Sequence, residues 1–192
     1  MSFIHNITFF DSDLENIETY KKILNDTIIN NNLSFENSNF EDMLGRTKMH
    51  IAISPANSRL SMTGGIDKLY SDLFPNVENS LRNKMIEKKY ATSDIEYKGT
   101  NYILPIGKIV IAETGDKRCY FIMASPTMDM PRDISGSNNV YLCMKSVLKK
   151  LLLIKEPIIV ACPCLGTGIG NMSAEESAQQ IKKAIEDVIV QS

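Results

Sequence analysis

No apolar run in this 192-residue chain approaches the roughly 18 residues of a membrane-spanning helix, and Met1 to Asp11 has no signal-peptide pattern. No basic excess is present either. The net charge of -2 argues against a generic nucleic-acid surface. Cysteine is sparse, with four residues in no Cys-rich pattern, which excludes a disulfide framework as the expected staple. Reduced thiols in a cytoplasmic protein are the expectation instead. No repeat or low-complexity linker divides the sequence. What remains is a length that suits one well-cored domain, 1–192, with 43% apolar and 23% charged residues, an ordinary soluble composition.

Strand-like and helix-like patterns alternate over most of the chain. Strands are expected over Ile4 to Phe10, Leu33 to Glu36, Lys48 to Ser54, Tyr102 to Leu104, Lys108 to Ala112, Cys119 to Ala124 and Pro157 to Cys162. The last of these is almost wholly apolar, as a strand covered on both faces must be. Helical spacing links Ile17, Leu24 and Ile28, with Ser12 and Glu15 as a capping box. The same spacing links Ile66, Leu69, Tyr70 and Leu73, resumes after Pro75 at Val77, Leu81 and Met85, and returns from Val140 to Leu151. A last helix carries Ala178, Ile181, Ile185 and Val188 behind a Ser173/Glu176 capping box. Such alternation predicts an α/β fold with a largely parallel central sheet, whose ligands sit beyond the carboxyl ends of the strands.

Two glycine-bearing turns lie at those ends. The first runs Ser54-Pro-Ala-Asn-Ser-Arg-Leu-Ser-Met-Thr-Gly-Gly-Ile-Asp67; the second is Pro163-Cys-Leu-Gly-Thr-Gly-Ile-Gly170. Glycine at a strand-to-helix turn lets backbone N–H groups approach an anion at the positive end of the helix dipole. The second turn has no P-loop lysine, and its Gly166-x-Gly168-x-Gly170 spacing is not that of dinucleotide-binding folds. Taken alone, it is equally well read as a tight turn that needs glycine for its shape. Asn57 offers an amide able to pair with a vicinal diol. Asp67 falls at a helix start, where an acid commonly complements the dipole.

The stretch Pro55-Ala-Asn57 to Met62-Thr63-Gly64-Gly65-Ile66-Asp67 resembles the Asn-Gly loop of macro domains, which bind ADP-ribose. Leu165-Gly166-Thr167-Gly168-Ile169-Gly170 resembles their diphosphate-gripping loop. Pro126-Thr-Met128 with Pro131, then Asn139-Val-Tyr141, is similar to a macro-like subgroup of bacteria, phages and large viruses. The resemblance runs with gaps from about Ile7 to Val188. It implies a three-layer α/β/α sandwich around a mixed, mostly parallel sheet, with Asn57 and the 62–66 turn at the distal ribose and the 166–170 backbone at the diphosphate. It also implies that Asn57 and Asp67 would be the catalytic residues, acting on ADP-ribosylated protein or ADP-ribose 1″-phosphate. The alternative is a reader module that binds ADP-ribose without chemistry.

Three positions depart from the family pattern. Asn37-Ser38-Asn39 stands where many members carry a Gly-Asp-Ile whose Asp grips adenine. Gly170 replaces an aromatic residue, and Ser71 replaces the His found one helical turn after the Asp in many hydrolases of the family. No cofactor or metal is expected. Cys162-Pro-Cys164 has no second ligand pair to complete a zinc site, and His5 and His50 lie in strand-like segments with no acid or Cys motif beside them.

Overall fold

The computed structural model describes residues 3–189; the outermost residues of the expected 1–192 domain, 1–2 and 190–192, lie outside that range. The chain runs β1 (Asn6–Asp11), α1 (Leu14–Leu24), a 3-10 turn (Asn30–Asn32), β2 (Leu33–Asn37), α2 (Phe40–Arg46), β3 (Met49–Ser54), α3 (Gly65–Leu73) and α4 (Val77–Lys88). It continues through β4 (Ala91–Tyr97), β5 (Thr100–Ile103), β6 (Val110–Asp116), β7 (Cys119–Ala124), α5 (Asn139–Leu151), β8 (Ile159–Pro163) and α6 (Ala174–Ile189).

Six strands form one sheet in the order β2-β1-β8-β3-β7-β6. The first five are parallel and β6 is antiparallel to β7, so the sheet is mixed and mostly parallel. Alternate residues of its central strands feed opposite faces. Ile51 and Ile53 of β3, with Val160 and Cys162 of β8, join the core under α1, α5 and α6. Ala52 and Ala161 face the other way, beneath Phe40 of α2, Tyr70 of α3 and Phe74 at the C-cap of α3. These two alanines leave room for the bulky rings above them, where Phe40 and Tyr70 meet edge to face with centroids 4.8 Å apart. Two helical layers around one sheet make the α/β/α sandwich.

Several details differ from the sequence reading. Helix α1 is capped by Asp13, whose carboxylate accepts from Glu15 N at 2.9 Å, so Ser12 is not the cap. It ends at Leu24, short of the exposed Ile28. Ser173 does cap α6 by accepting from Glu176 N at 3.1 Å, while the Glu176 carboxylate reaches across to accept from Gly136 N at 2.8 Å. Helix α2 and strand β4 have no counterpart in the sequence reading. Strands β4 and β5 form a separate two-stranded sheet outside the main one. No helix among the described residues is long and apolar enough to cross a membrane.

Candidate functional site

The carboxyl ends of the five parallel strands open onto a cleft of about 510 Å³, lined by residues that follow each of those strands. The sheet order sets its layout. The loop after β8 lies in the middle, the loops after β3 and β7 on one side, and the ends of β1 and β2 on the other.

The first turn leaves β3 at Ser54 and is pinned to the segment after β7. Ser125 N donates to Ser54 O at 3.0 Å, and Thr127 donates to Pro55 O through both its N–H (2.8 Å) and its hydroxyl (2.9 Å). Asn57 lines the cleft but is buried, and its own loop engages all of its amide except one Nδ2 hydrogen. Its Oδ1 accepts from Arg59 N and Ser61 N at 3.0 and 3.2 Å, and its Nδ2 donates to Ser61 O at 2.9 Å. The residue therefore shapes the turn before it meets any ligand. Arg82, itself buried, braces this segment by donating to Arg59 O and Tyr97 O, each at 2.8 Å. The β4–β5 sheet adds a hydrogen bond between Tyr97 Oη and Ser61 Oγ at 2.9 Å.

Gly64 caps α3, and Gly65 takes φ +56, a left-handed conformation that glycine adopts at little cost. Thr63, Gly64, Gly65, Ile66 and Asp67 all line the cleft. Met62 does not. Its side chain is buried in the α2–α4 core, its N–H donates to Glu78 Oε2 at 3.3 Å, and its carbonyl accepts from Ser71 Oγ at 3.2 Å. The single Ser71 hydroxyl hydrogen is shared with Lys68 O, which is closer at 2.8 Å, so Ser71 anchors the glycine turn from beneath through a bifurcated bond.

Asp67 is the buried acid of this wall. Burial pushes its carboxyl up to about 6, against the opposing pull of the Ser54 hydroxyl, which donates to Oδ1 at 2.7 Å, and of the Ala56 N–H. Ala56 is held at φ 31, strained for a residue with a Cβ.

In the second turn, Gly166, Thr167, Gly168, Ile169 and Gly170 line the cleft, whereas Leu165 lies in the α1/α5/α6 core. A buried relay holds its carbonyl. Ser177 Oγ donates to Leu165 O at 2.6 Å, so the Tyr20 hydroxyl, 2.5 Å from Ser177 Oγ, must be the donor in the Tyr20–Ser177 bond. Gly166 takes φ +76. A Cβ on Gly170 would lie 2.6 Å from Gly166 O and 2.9 Å from Ile134 Cγ1, which explains why no aromatic residue occupies this position. The Gly170 carbonyl instead accepts from Ile134 N at 2.8 Å. The half-exposed Ile169 bridges the two turns: its Cδ1 would lie 3.1 Å from a Cβ on Gly64.

The far end of the cleft is only partly legible in the sequence. Phe10, Asp11, Ser12, Ser38, Asn39 and Phe40 form it, and the signal for them is the parallel pairing of β1 with β2 rather than any motif. Cys162 and Cys164 are both buried, and burial raises both thiols well above their ordinary value.

The model of the Macro domain family matches residues 53–181. The chain belongs to the Macro domain family. An uncharacterized protein of Aquifex aeolicus (strain VF5) is 26% identical over 137 residues, covering 70% of this chain and 72% of that one. Among solved structures, the macrodomain of Mycobacterium tuberculosis DarG superposes with a TM-score of 0.56 at 20% identity, covering 75% of this chain and 86% of its own. A Gly-to-Val variant of the Oceanobacillus iheyensis macrodomain, solved with ADPR, gives a TM-score of 0.57 at 15% identity, covering 76% of this chain and 73% of its own. At these identities the two structures establish the shared fold.

Proposed function

We propose that this protein binds ADP-ribose across the two glycine turns and hydrolyses the bond at its distal ribose, releasing ADP-ribose from a modified protein side chain or phosphate from ADP-ribose 1″-phosphate. The observation that carries this reading is the convergence of Gly64–Gly65 and Gly166–Gly170 on one cleft whose wall also holds a buried carboxyl, Asp67. Backbone N–H groups at these turns suit a diphosphate. The Oceanobacillus iheyensis neighbour solved with ADPR supports the same ligand class. The four unbridged, buried cysteines fit a reducing, cytoplasmic setting.

Asp67 suits the chemistry because a carboxyl near 6 takes a proton from water effectively at neutral pH. In this mechanism Asp67 and the ligand's own diphosphate orient a water towards the anomeric carbon, and the backbone of the turns stabilises charge on the leaving oxygen. Asn57 holds residues 57–61 through Oδ1 and one Nδ2 hydrogen, and its second Nδ2 hydrogen is left for a hydroxyl of the distal ribose. A reader without chemistry is the second reading, favoured by the commitment of the Ser71 hydroxyl to Met62 and Lys68 carbonyls.

One experiment separates them. ADP-ribose is titrated by calorimetry, and the protein is then incubated with an ADP-ribosylated protein and with ADP-ribose 1″-phosphate while release is assayed. Release abolished by Asp67→Ala with binding retained supports the hydrolase. Binding without release identifies a reader, and absence of heat at millimolar ADP-ribose overturns both.

A further inference from the structure

Asp67 is only 8% exposed and meets a layer of apolar side chains that includes Phe40 and Tyr70. Burial of a carboxyl costs free energy unless hydrogen bonds compensate it, and groups so placed concentrate at working sites. Although Asp67 lies in the first turn of α3, the partners of its carboxyl are the Ser54 hydroxyl and the Ala56 N–H, at the end of β3. No charged side chain among the described residues contributes to its shift. Lys68, next in sequence, gives its ammonium to both oxygens of Asp72, at 2.9 and 2.7 Å. Within α3, Tyr70 faces Asp67 as a neutral phenol whose hydroxyl donates to Ile53 O at 3.2 Å. Cys119 of β7 and Cys162 of β8 act on that phenol in turn, both held as thiols by burial. Phe40 of α2 and Ile169 of the second turn bring no charge.

The Ser54 hydroxyl is therefore the one side-chain partner of this acid. Strand alternation puts Ser54 on the face of the sheet that carries Ala52, Ala124 and Ala161. Alanine would fill the same row, so packing does not call for an oxygen here. Ser54 is 1% exposed and lies outside the lining of the cleft, so a ligand does not meet it. Its backbone is fixed, since Ser54 O accepts from Ser125 N at 3.0 Å. What the hydroxyl does contribute is the 2.7 Å bond to Asp67 Oδ1. A hydroxyl has a single hydrogen, and donating it to Oδ1 stabilises the charged carboxylate against burial.

We propose that Ser54 is the positioning residue for Asp67 in hydrolysis: from the fixed end of β3 its hydroxyl holds Oδ1 in one orientation and keeps the carboxylate charged, leaving its remaining lone pairs to take a proton from the attacking water. In that step the water oxygen bonds to the anomeric carbon, the bond to the leaving oxygen breaks with its electron pair, and the water proton passes to Asp67. This inference rests on the hydrolase reading above.

The test follows the Asp67 carboxyl carbon by NMR across pH in wild type, Ser54→Ala and Ser54→Cys, the last being close in size but a weak donor. Loss of one charge-assisted hydrogen bond makes Asp67 bind its proton about tenfold more tightly in both variants. The acid limb of the pH profile for ADP-ribose release moves to higher pH by the same factor, because the base is protonated over a wider range. A merely structural role lowers release at every pH and leaves the limb in place. Should neither variant fold, wild type alone decides: the Ser54 Cβ resonance titrates with the same midpoint as Asp67, and a flat Ser54 resonance through that range overturns the assignment. An Asp67 midpoint that is unchanged in both variants overturns it equally, whatever their activity. Failure of wild type to release any product overturns the hydrolase reading instead, and the midpoints still decide whether Ser54 governs Asp67.

Discussion

Asp67 gives the clearest case of a side chain whose position sets its chemistry. Burial raises its carboxyl to about 6, so the folded protein holds this proton more tightly than the unfolded chain, whose Asp titrates near 4. Between these values the folded state binds more protons. Its stability therefore falls as pH rises from about 4 to about 6 and stays lower above that window. The contribution is about 3 kcal/mol, because the two states differ roughly a hundredfold in proton affinity and each factor of ten is worth about 1.4 kcal/mol. Asp67→Asn removes the titration, and relative to wild type it gains up to that amount between about pH 4 and about pH 7.5. Urea unfolding at both pH values checks this; parallel pH profiles for the two proteins would show that the carboxyl is not raised. Glycines 168 and 170 make a second contrast. Gly170→Ala forces a Cβ against Gly166 O and Ile134 and costs about 2–3 kcal/mol, whereas a Cβ on Gly168 meets nothing within 4 Å. Thermal unfolding of the two alanine variants should separate them, with Gly168→Ala melting within about 2 °C of wild type, a shift under about 0.5 kcal/mol.

Loops that follow strands inherit their rigidity from what lies beneath them, and the second glycine turn depends on the Tyr20–Ser177–Leu165 relay between α1 and α6. Ser177→Ala leaves the Leu165 carbonyl without its donor and the Tyr20 hydroxyl without its acceptor, at a cost of about 2–4 kcal/mol. A double-mutant cycle with Tyr20→Phe, read by denaturant unfolding, gives a coupling of about 1 kcal/mol; strictly additive losses would dissolve the relay. The elements readable from sequence are those whose pattern follows from burial. Val160, Ala161 and Cys162 read as a covered strand because both faces of β8 are packed, and the stripe of α6 matches its buried face. The missed elements carry no such imprint. Helix α2 is seven residues with Gly45 inside it, and its buried Phe40, Met43 and Leu44 are too few to show a period. Strand β4 is mostly exposed: its alternation is confined to Asp94-Ile95-Glu96-Tyr97, too short to stand out, and Ile95 itself faces solvent. The same logic governs the site. Glycines at strand ends mark the two turns, but Met62 and Leu165, adjacent in sequence to cleft residues, turn inward to anchor them. Sequence proximity does not distinguish an anchor from a wall.

Each glycine turn is anchored on a different face of the sheet: Met62 in the core under α2, α3 and α4, and Leu165 in the core under α1, α5 and α6. A ligand spanning the cleft therefore ties together two packing layers that otherwise meet only through the strands. Because it binds the folded chain alone, ADP-ribose at roughly 100 times its Kd adds about 2.7 kcal/mol of stability. For a protein of this length that raises Tm by about 5–10 °C. Local protection gives the more telling measurement. Slowed amide exchange on ADP-ribose addition is expected at both 63–67 and 166–170, since the first turn would face the distal ribose and the second the diphosphate. Protection confined to one turn would mean that the ligand rests on a single wall. The cleft would then be the neighbour of the binding site rather than the site itself, and Asp67, which belongs to the first wall, would have no substrate within reach if only the second turn responded.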